Sequence, residues 1–345
     1  MAYKPYTVEE VNKSEGSNGF KVFSTFACGG GSSTGYKLAG YEVVGINEID
    51  EGLVKVYKAN YHPKYIFNCD IRDLVTSEIP QSLYGIDVLD GSPPCSVFSM
   101  AGSREKAWGK EKTFREGQKK QRLDDLFFAF LDLAKKIEPK VIIAENVKGM
   151  LAGKAKGYVK EIVTELSNMG YTTQIFLLNA STMGVPQKRE RVFFIAHKNE
   201  YHLPKLILSP NVPFVTYNQI KTNEGIQKDL TPAATALIEQ RGPYDRSVGD
   251  TNLRINGKNT YFTTTYIRDD EVPNTLISGS ALVSMDTGKQ LTSRELTRIQ
   301  SFPEDYNFVK NESYNHIKYI LGMSVPPRMM EYVAKEVEKQ WLSKI

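Results

Sequence analysis

Residues 21–38 read KVFSTFACGGGSSTGYKL, and the fold follows from how this stretch is punctuated. The apolar run at 21–26 has the length of a buried strand, and Gly29, Gly30 and Gly31 break it before a helix-compatible segment at 33–38. Glycines between a strand and a helix let a ligand approach the backbone and leave amides free at the helix N-terminus. The same alternation continues outward. Strands are predicted at 21–26, 42–47, 65–68, 86–90, 140–144, 172–178 and 191–197, and helices at 33–38, 52–60, 124–137 and 158–169. Strand alternating with helix predicts an α/β fold with a doubly wound, mostly parallel sheet. Ligands of such sheets bind beyond the carboxyl ends of the strands.

The composition restricts the class of protein. A chain of 345 residues holds one large domain or two smaller ones, and 41% hydrophobic with 24% charged residues is a globular mixture. The balance of 44 Lys+Arg against 40 Asp+Glu, a net +4, permits a polyanionic partner without requiring one. Cys28, Cys69 and Cys95 are spaced like neither a disulfide framework nor a zinc site, and His62, His197, His202 and His316 are scattered. No metal is expected, and free thiols fit a reducing cytoplasm. The first twenty residues lack the basic and apolar segments of a signal peptide, and no apolar run is long enough to cross a bilayer, so no membrane association is expected.

Five further features carry chemistry. Glu48 follows the second strand, where an acid can accept hydrogen bonds from both ribose hydroxyls; Asp70 follows the third, where a carboxylate can accept from an adenine amino group. Together with the glycines they describe an adenosine pocket, which leaves NAD and S-adenosylmethionine both open. Asp90-Gly91-Ser92-Pro93-Pro94-Cys95 places two backbone-fixing prolines before a cysteine at a strand end, the presentation of a nucleophile. Glu145-Asn146-Val147 closes another strand with a carboxylate, costly there without a partner or a task. Gln187-Lys188-Arg189-Glu190-Arg191 runs into the last strand, with Gln187, Arg189 and Arg191 on one side. Residues 99–122 hold 8 Lys+Arg against 3 Asp+Glu, a candidate mobile lid that meets phosphates. After His197 the texture changes. Residues 198–288 are rich in Thr, Asn, Tyr, Pro and Gly, carry 9 Lys+Arg against 10 Asp+Glu, and read as a smaller, irregular domain.

In this order the motifs resemble those of the cytosine-C5 DNA methyltransferases. The resemblance extends through Leu291-Thr292-Ser293-Arg294-Glu295, Arg298, Gln300, Phe302 and Pro303 to Gly322-Met323-Ser324-Val325-Pro326-Pro327. Three positions depart from the family pattern: Cys28 stands for the usual Gly, Ser96 for Gln and Met323 for Asn. The resemblance implies an S-adenosylmethionine-dependent, Rossmann-like catalytic domain at 1–197 plus 312–345, and a target-recognition domain and hinge at 198–311. It implies a monomer acting on double-stranded DNA, with a separately encoded restriction endonuclease as a potential partner. A tRNA methyltransferase of the same fold and an inactive DNA-binding relative are the alternatives.

The site roles follow from the resemblance residue by residue. Cys95 attacks cytosine C6, Glu145 protonates or hydrogen-bonds N3, Arg191 holds O2, and Arg189 touches the ring or a phosphate. For the cofactor, Phe26 and Ile49 sandwich adenine, Glu48 binds the ribose, and Asp70 and the Ile71 backbone meet the adenine edge. The turn Ala27-Cys28-Gly29-Gly30-Gly31 meets the methionyl end, and Pro94, Leu126 and Ser324 line the pocket. Ser96, Ser99, Lys119, Lys120, Gln187 and Thr275 are the implied DNA contacts. S-adenosylhomocysteine is the implied product.

Overall fold

The computed structural model describes residues 3–94, 125–153, 155–279, 281–309 and 313–345. Its main sheet contains β1 (Lys21–Thr25), β2 (Glu42–Asn47), β3 (Tyr65–Phe67), β4 (Val88–Gly91), β5 (Val141–Val147), β6 (Tyr171–Asn179) and β7 (Glu190–Lys198). The spatial order is β3-β2-β1-β4-β5-β7-β6. β1 to β5 are mutually parallel, and β7 runs antiparallel to both its neighbours. The reversal has a simple cause. Only residues 180–189 join β6 to β7, too few for a crossover, so the pair closes as a hairpin.

The central strands β1, β2, β4, β5 and β7 are apolar because both their faces are covered. Val22, Val43, Ile46, Val141, Ile143, Phe193 and Ile195 belong to one core, while Phe23, Val44, Leu89, Ile142, Val192 and Phe194 belong to the other. The helices around the sheet are α1 (Val8–Ser14), α2 (Gly31–Leu38), α3 (Glu51–Lys58), α4 (Ile71–Thr76), α5 (Leu126–Ile137) and α6 (Ala155–Asn168). Further along come α7 (Pro232–Glu239), α8 (Val248–Asn256), α9 (Ser293–Ile299), α10 (Tyr314–Met323) and α11 (Pro327–Gln340). The irregular region adds a parallel pair, β8 (Thr264–Ile267) and β9 (Ala281–Ser284). Leu237, Ile238, Val248, Tyr266 and Val283 form a small core of its own, whereas Leu206, Tyr217, Ile220, Ile267, Leu276 and Leu291 enter the first core.

The C-terminal helix returns to the first half of the chain. Met329, Met330, Val333, Ala334 and Val337 of α11 are fully buried, and Tyr41 donates to the Ala334 carbonyl at 2.9 Å. Trp341 closes the contact, donating to Pro204 at 2.8 Å and lying edge-on to His197 at 4.6 Å.

The α2–α11 contact is close enough to test. A methyl group at Gly35 would lie 2.5 Å from the Pro327 carbonyl and 2.6 Å from Met330 Cβ. Replacing a helical glycine by alanine normally gains up to about 1 kcal/mol, but overpacking against fixed backbone costs about 1–3 kcal/mol. Gly35→Ala should therefore lower stability in urea titration. A stabilised variant would show that α11 does not pack at this position.

Candidate active site

A cavity with about 860 Å³ of empty space, part of it open to solvent, lies beyond the carboxyl ends of β1 to β4. Its walls include Phe26, Cys28, Glu48, Ile49, Asp70, Ile71, Pro94 and Leu126. Eight of the expected cofactor residues are thus brought together from four strand ends and the start of α5. The turn after β1 is folded against the protein. Ala27 donates to the Asn47 carbonyl at 3.1 Å, and Gly30 donates to Ala27 at 2.9 Å. Side chains at Gly29 and Gly31 would collide with Ile320 and with the Val325 carbonyl, so this turn requires glycine for close approach. Ser324 lies behind the turn rather than among the cavity walls. It is buried, donates to Ile320 at 2.8 Å and sits 3.7 Å from Cys28 Sγ.

Two residues of the turn are strained. Phe26 and Cys28 have φ of 51° and 48°, left-handed values that cost a non-glycine residue about 1 kcal/mol or more. This gives physical content to the Cys28 departure, since glycine would take that conformation freely. Glu48 holds the turn in place. Its carboxylate accepts from the Cys28 amide at 2.8 Å and from the Asp50 amide at 2.9 Å. Burial pushes the Glu48 pKa up, against the backbone bonds from Asp50 and Cys28. Asp70 caps α4 and accepts from Arg72 through both oxygens. Burial acts to raise the Asp70 pKa, but the Arg72 hydrogen bonds prevail and hold it below the ordinary value.

Beneath the cavity lies Asp90, a residue quoted from the sequence only as part of a motif. It is 1% exposed and accepts from Ser24 at 2.7 Å, Ser32 at 2.8 Å and Tyr36 at 3.3 Å. Burial drives its pKa up to about 7 despite those three hydroxyls, and the charge of Glu145 adds to the rise. The carboxyl therefore ties β4 to β1 and to α2 directly under the glycine turn.

The motif at the end of β5 is joined to the Pro-Pro segment. Asn146 donates from Nδ2 to the Pro93 carbonyl at 3.0 Å, and its Oδ1 accepts from the Val147 amide at 2.9 Å. Ser92 and Pro94, on either side of Pro93, line the cavity. Glu145 is 8% exposed and pairs through Oε1 with Arg191 Nε at 2.9 Å. Arg191 also donates to the Glu190 carbonyl at 2.8 Å, and burial pushes its pKa down.

Two residues expected at the base or the DNA are held inside the protein. Arg189 is 2% exposed and its guanidinium donates to the carbonyls of Leu276, Gly322 and Ser324 at 2.9, 3.1 and 3.1 Å. Gln187 is held in the same way. It is fully buried, donates to Ile299 and Gln300, and accepts from the Leu276 amide at 2.8 Å. Buried polar groups find partners inside the protein wherever they can. Arg189 Nη1 and Nη2 and the Gln187 amide are bonded at the junction between β7, residues 276 and 299–300, and α10, while Arg189 Nε is buried without a partner. Thr275 is half-buried and donates to the Lys188 carbonyl. Cys95, Ser96, Ser99, Lys119 and Lys120 lie outside the described residues.

Sequence reasoning missed Asn47, Asp50, Leu53, Cys69, Ser92 and Tyr319 as cavity walls. Asp50 carried a readable signal, since an acid before a helical run is a preferred N-cap, and it accepts from Gly52 and Leu53. Tyr319 did not, because α10 reaches the cavity from far along the chain. Among the described residues no cluster of three metal-ligating side chains occurs, and no helix is long and apolar enough to cross a membrane.

Residues 20–339 match the family model described as C-5 cytosine-specific DNA methylase. The Type II methyltransferase M.FnuDI of Fusobacterium nucleatum is 28% identical over 92% of this chain and 94% of its own. M.AplI of Arthrospira platensis is 30% identical over 92% of this chain and 85% of its own. Among solved structures, a DNMT2 variant from Spodoptera frugiperda shares the fold with a TM-score of 0.66 at 18% identity, covering 92% of this chain and 99% of its own.

Asp90 predicts a pH dependence of stability. Its folded pKa of about 7 lies above the unfolded value of about 3.9. The folded state then binds the proton more tightly, so stability falls as pH rises from about 4 to about 7 and levels off above that. Asp90→Asn should remove this part of the decline and gain most, relative to the parent, above pH 7. Denaturant midpoints across pH would check this; parallel curves for the two proteins would contradict the assignment.

Proposed function

Because the chain belongs to the C-5 cytosine-specific DNA methylase family, we propose that it methylates C5 of a cytosine flipped out of duplex DNA, using S-adenosylmethionine. One observation carries this reading: a single cavity joins the acids suited to adenosine with the Ser92–Pro94 segment, and Asn146 fastens that segment beside the Glu145–Arg191 pair. The residues fit the cofactor. Glu48 keeps acceptor capacity on its oxygens after the backbone bonds, enough for a ribose diol. Phe26, Ile49 and Leu126 offer apolar surface for a purine. When bound, S-adenosylmethionine supplies an electrophilic methyl group on a sulfonium.

The chain's own residues then divide the work on the base. Extrusion costs a few kcal/mol, and the basic 99–122 segment supplies phosphate contacts, among them Lys119 and Lys120. The Cys95 thiolate forms a bond to cytosine C6, which moves electron density to C5. Glu145 supplies a proton or hydrogen bond at N3 as charge builds there, and Arg191 donates to O2. Their 2.9 Å pairing keeps the two groups adjacent before the base arrives. C5 takes the methyl group, loses its proton to a base, and the carbon–sulfur bond breaks to return the thiolate. Residues 198–311 read the sequence around the target, and residues 1–197 with 312–345 carry the chemistry. Relatives named Type II methyltransferases support a restriction-modification setting, and a separately encoded endonuclease is the partner we propose.

Labelled methyl transfer to duplex DNA against tRNA tests the assignment, and transfer to tRNA alone would overturn it. Cys95→Ala should abolish turnover yet retain DNA binding, and Glu145→Gln should slow transfer about 10²–10⁴-fold. A near-normal rate in either variant would strip that residue of its catalytic role. Lys119→Ala with Lys120→Ala should reduce the slope of log binding constant against log salt by up to about 2. An unchanged slope excludes both as phosphate contacts.

A further inference from the structure

Arg72 was not singled out in the sequence, yet it dominates the surroundings of Asp70. Its backbone amide and Nε both donate to Asp70 Oδ1 at 2.9 Å, and Nη2 donates to Oδ2 at 2.7 Å. Its remaining terminus, Nη1, lies 3.5 Å from the Asp125 carboxylate, one residue before the cavity wall at Leu126. A surface ion pair of one contact contributes little. This one is a planar fork plus a backbone bond, and the Asp70 side chain that accepts them is 19% exposed and lines the cavity. Each carboxylate oxygen has two lone-pair directions. Oδ1 is therefore saturated, while Oδ2 keeps one direction.

We propose that Arg72 is a positioning residue for cofactor recognition, fixing Asp70 so that Oδ2 offers one aimed acceptor to the adenine 6-amino group. This rests on the reading of the cavity as an S-adenosylmethionine site. Arg72 also balances the Asp70 charge, so the acceptor discriminates by direction rather than by net attraction. A lysine at this position keeps the charge but lacks the fork. Charge and aim can thus be separated.

The test compares calorimetric binding of S-adenosylhomocysteine with its 6-unsubstituted purine analogue, which lacks only the amino group. The parent protein should prefer the amino-bearing ligand by roughly tenfold or more, the size of one hydrogen bond to a charged acceptor. Arg72→Ala and Arg72→Lys should each shrink the preference to under about threefold. In an Asp70→Ala background, Arg72→Ala should change the ratio no further. Equal weakening of both ligands, or an unchanged ratio, would make Arg72 merely structural and overturn the proposal. If the parent binds neither ligand, the cofactor reading itself is lost, a distinct result from a parent that binds both with an insensitive ratio.

Discussion

A guanidinium withdrawn from water is tolerable only where the protein supplies acceptors for it, and Arg189 sets that condition for the whole junction. Its acceptors are backbone carbonyls at Leu276, Gly322 and Ser324, two stretches far apart in the chain. Gln187 binds Gln300 and the Leu276 amide, and Gln300 in turn donates to the Ser324 carbonyl at 2.6 Å. The result is a polar knot between β7, the segment before β9, α9 and the end of α10, in which Arg189 Nε finds no acceptor. It fixes residues 320–325, against which Gly29 and Gly31 pack without room for a side chain. The position of the glycine turn is therefore decided partly by an arginine that enters from the start of β7.

The turn is also held from below and beside. Asp90 takes a hydroxyl from Ser32 at the start of α2, and Glu48 takes the Cys28 amide. These contacts offset the left-handed strain at Phe26 and Cys28. Burial raises the pKa of both acids, from the same physical cause. A rigid turn places Phe26 and Cys28 on the cavity wall, together with side chains delivered by β3, β4 and α5. Preorganisation of this kind leaves less entropy to lose when a ligand enters.

Much of this was legible in the sequence, and the exceptions have physical reasons. The strand–glycine–helix alternation revealed the sheet because buried parallel strands are short apolar runs with sharp ends. Glu48, Asp70 and Pro94 could be placed because each closely follows a strand. The reversal of β7 was not visible as a pattern of residues; it depends on the length of the connection after β6. The burial of Arg189 and Gln187 was not legible because alternation gives a side and not what covers it, and the segments that cover them lie roughly a hundred residues away. α7 and α8 were missed because the region around them mixes helical pieces with turn-rich sequence. Arg72 was missed because an arginine after an acid reads as ordinary surface charge until the fork is seen.

The packing of α11 against α2, and of α10 against the glycine turn, has a consequence for the order of biosynthesis. Translation proceeds at about 5–20 residues per second, and domains generally fold as units. Here the floor under the glycine turn, at Ile320 and Val325, leaves the ribosome long after the turn itself. The nascent chain carries β1 and α2 with an apolar face uncovered until Met329, Met330 and Val333 emerge. That interval exposes the half-made sheet to chaperones, and it keeps an incomplete polypeptide from acquiring a formed cavity.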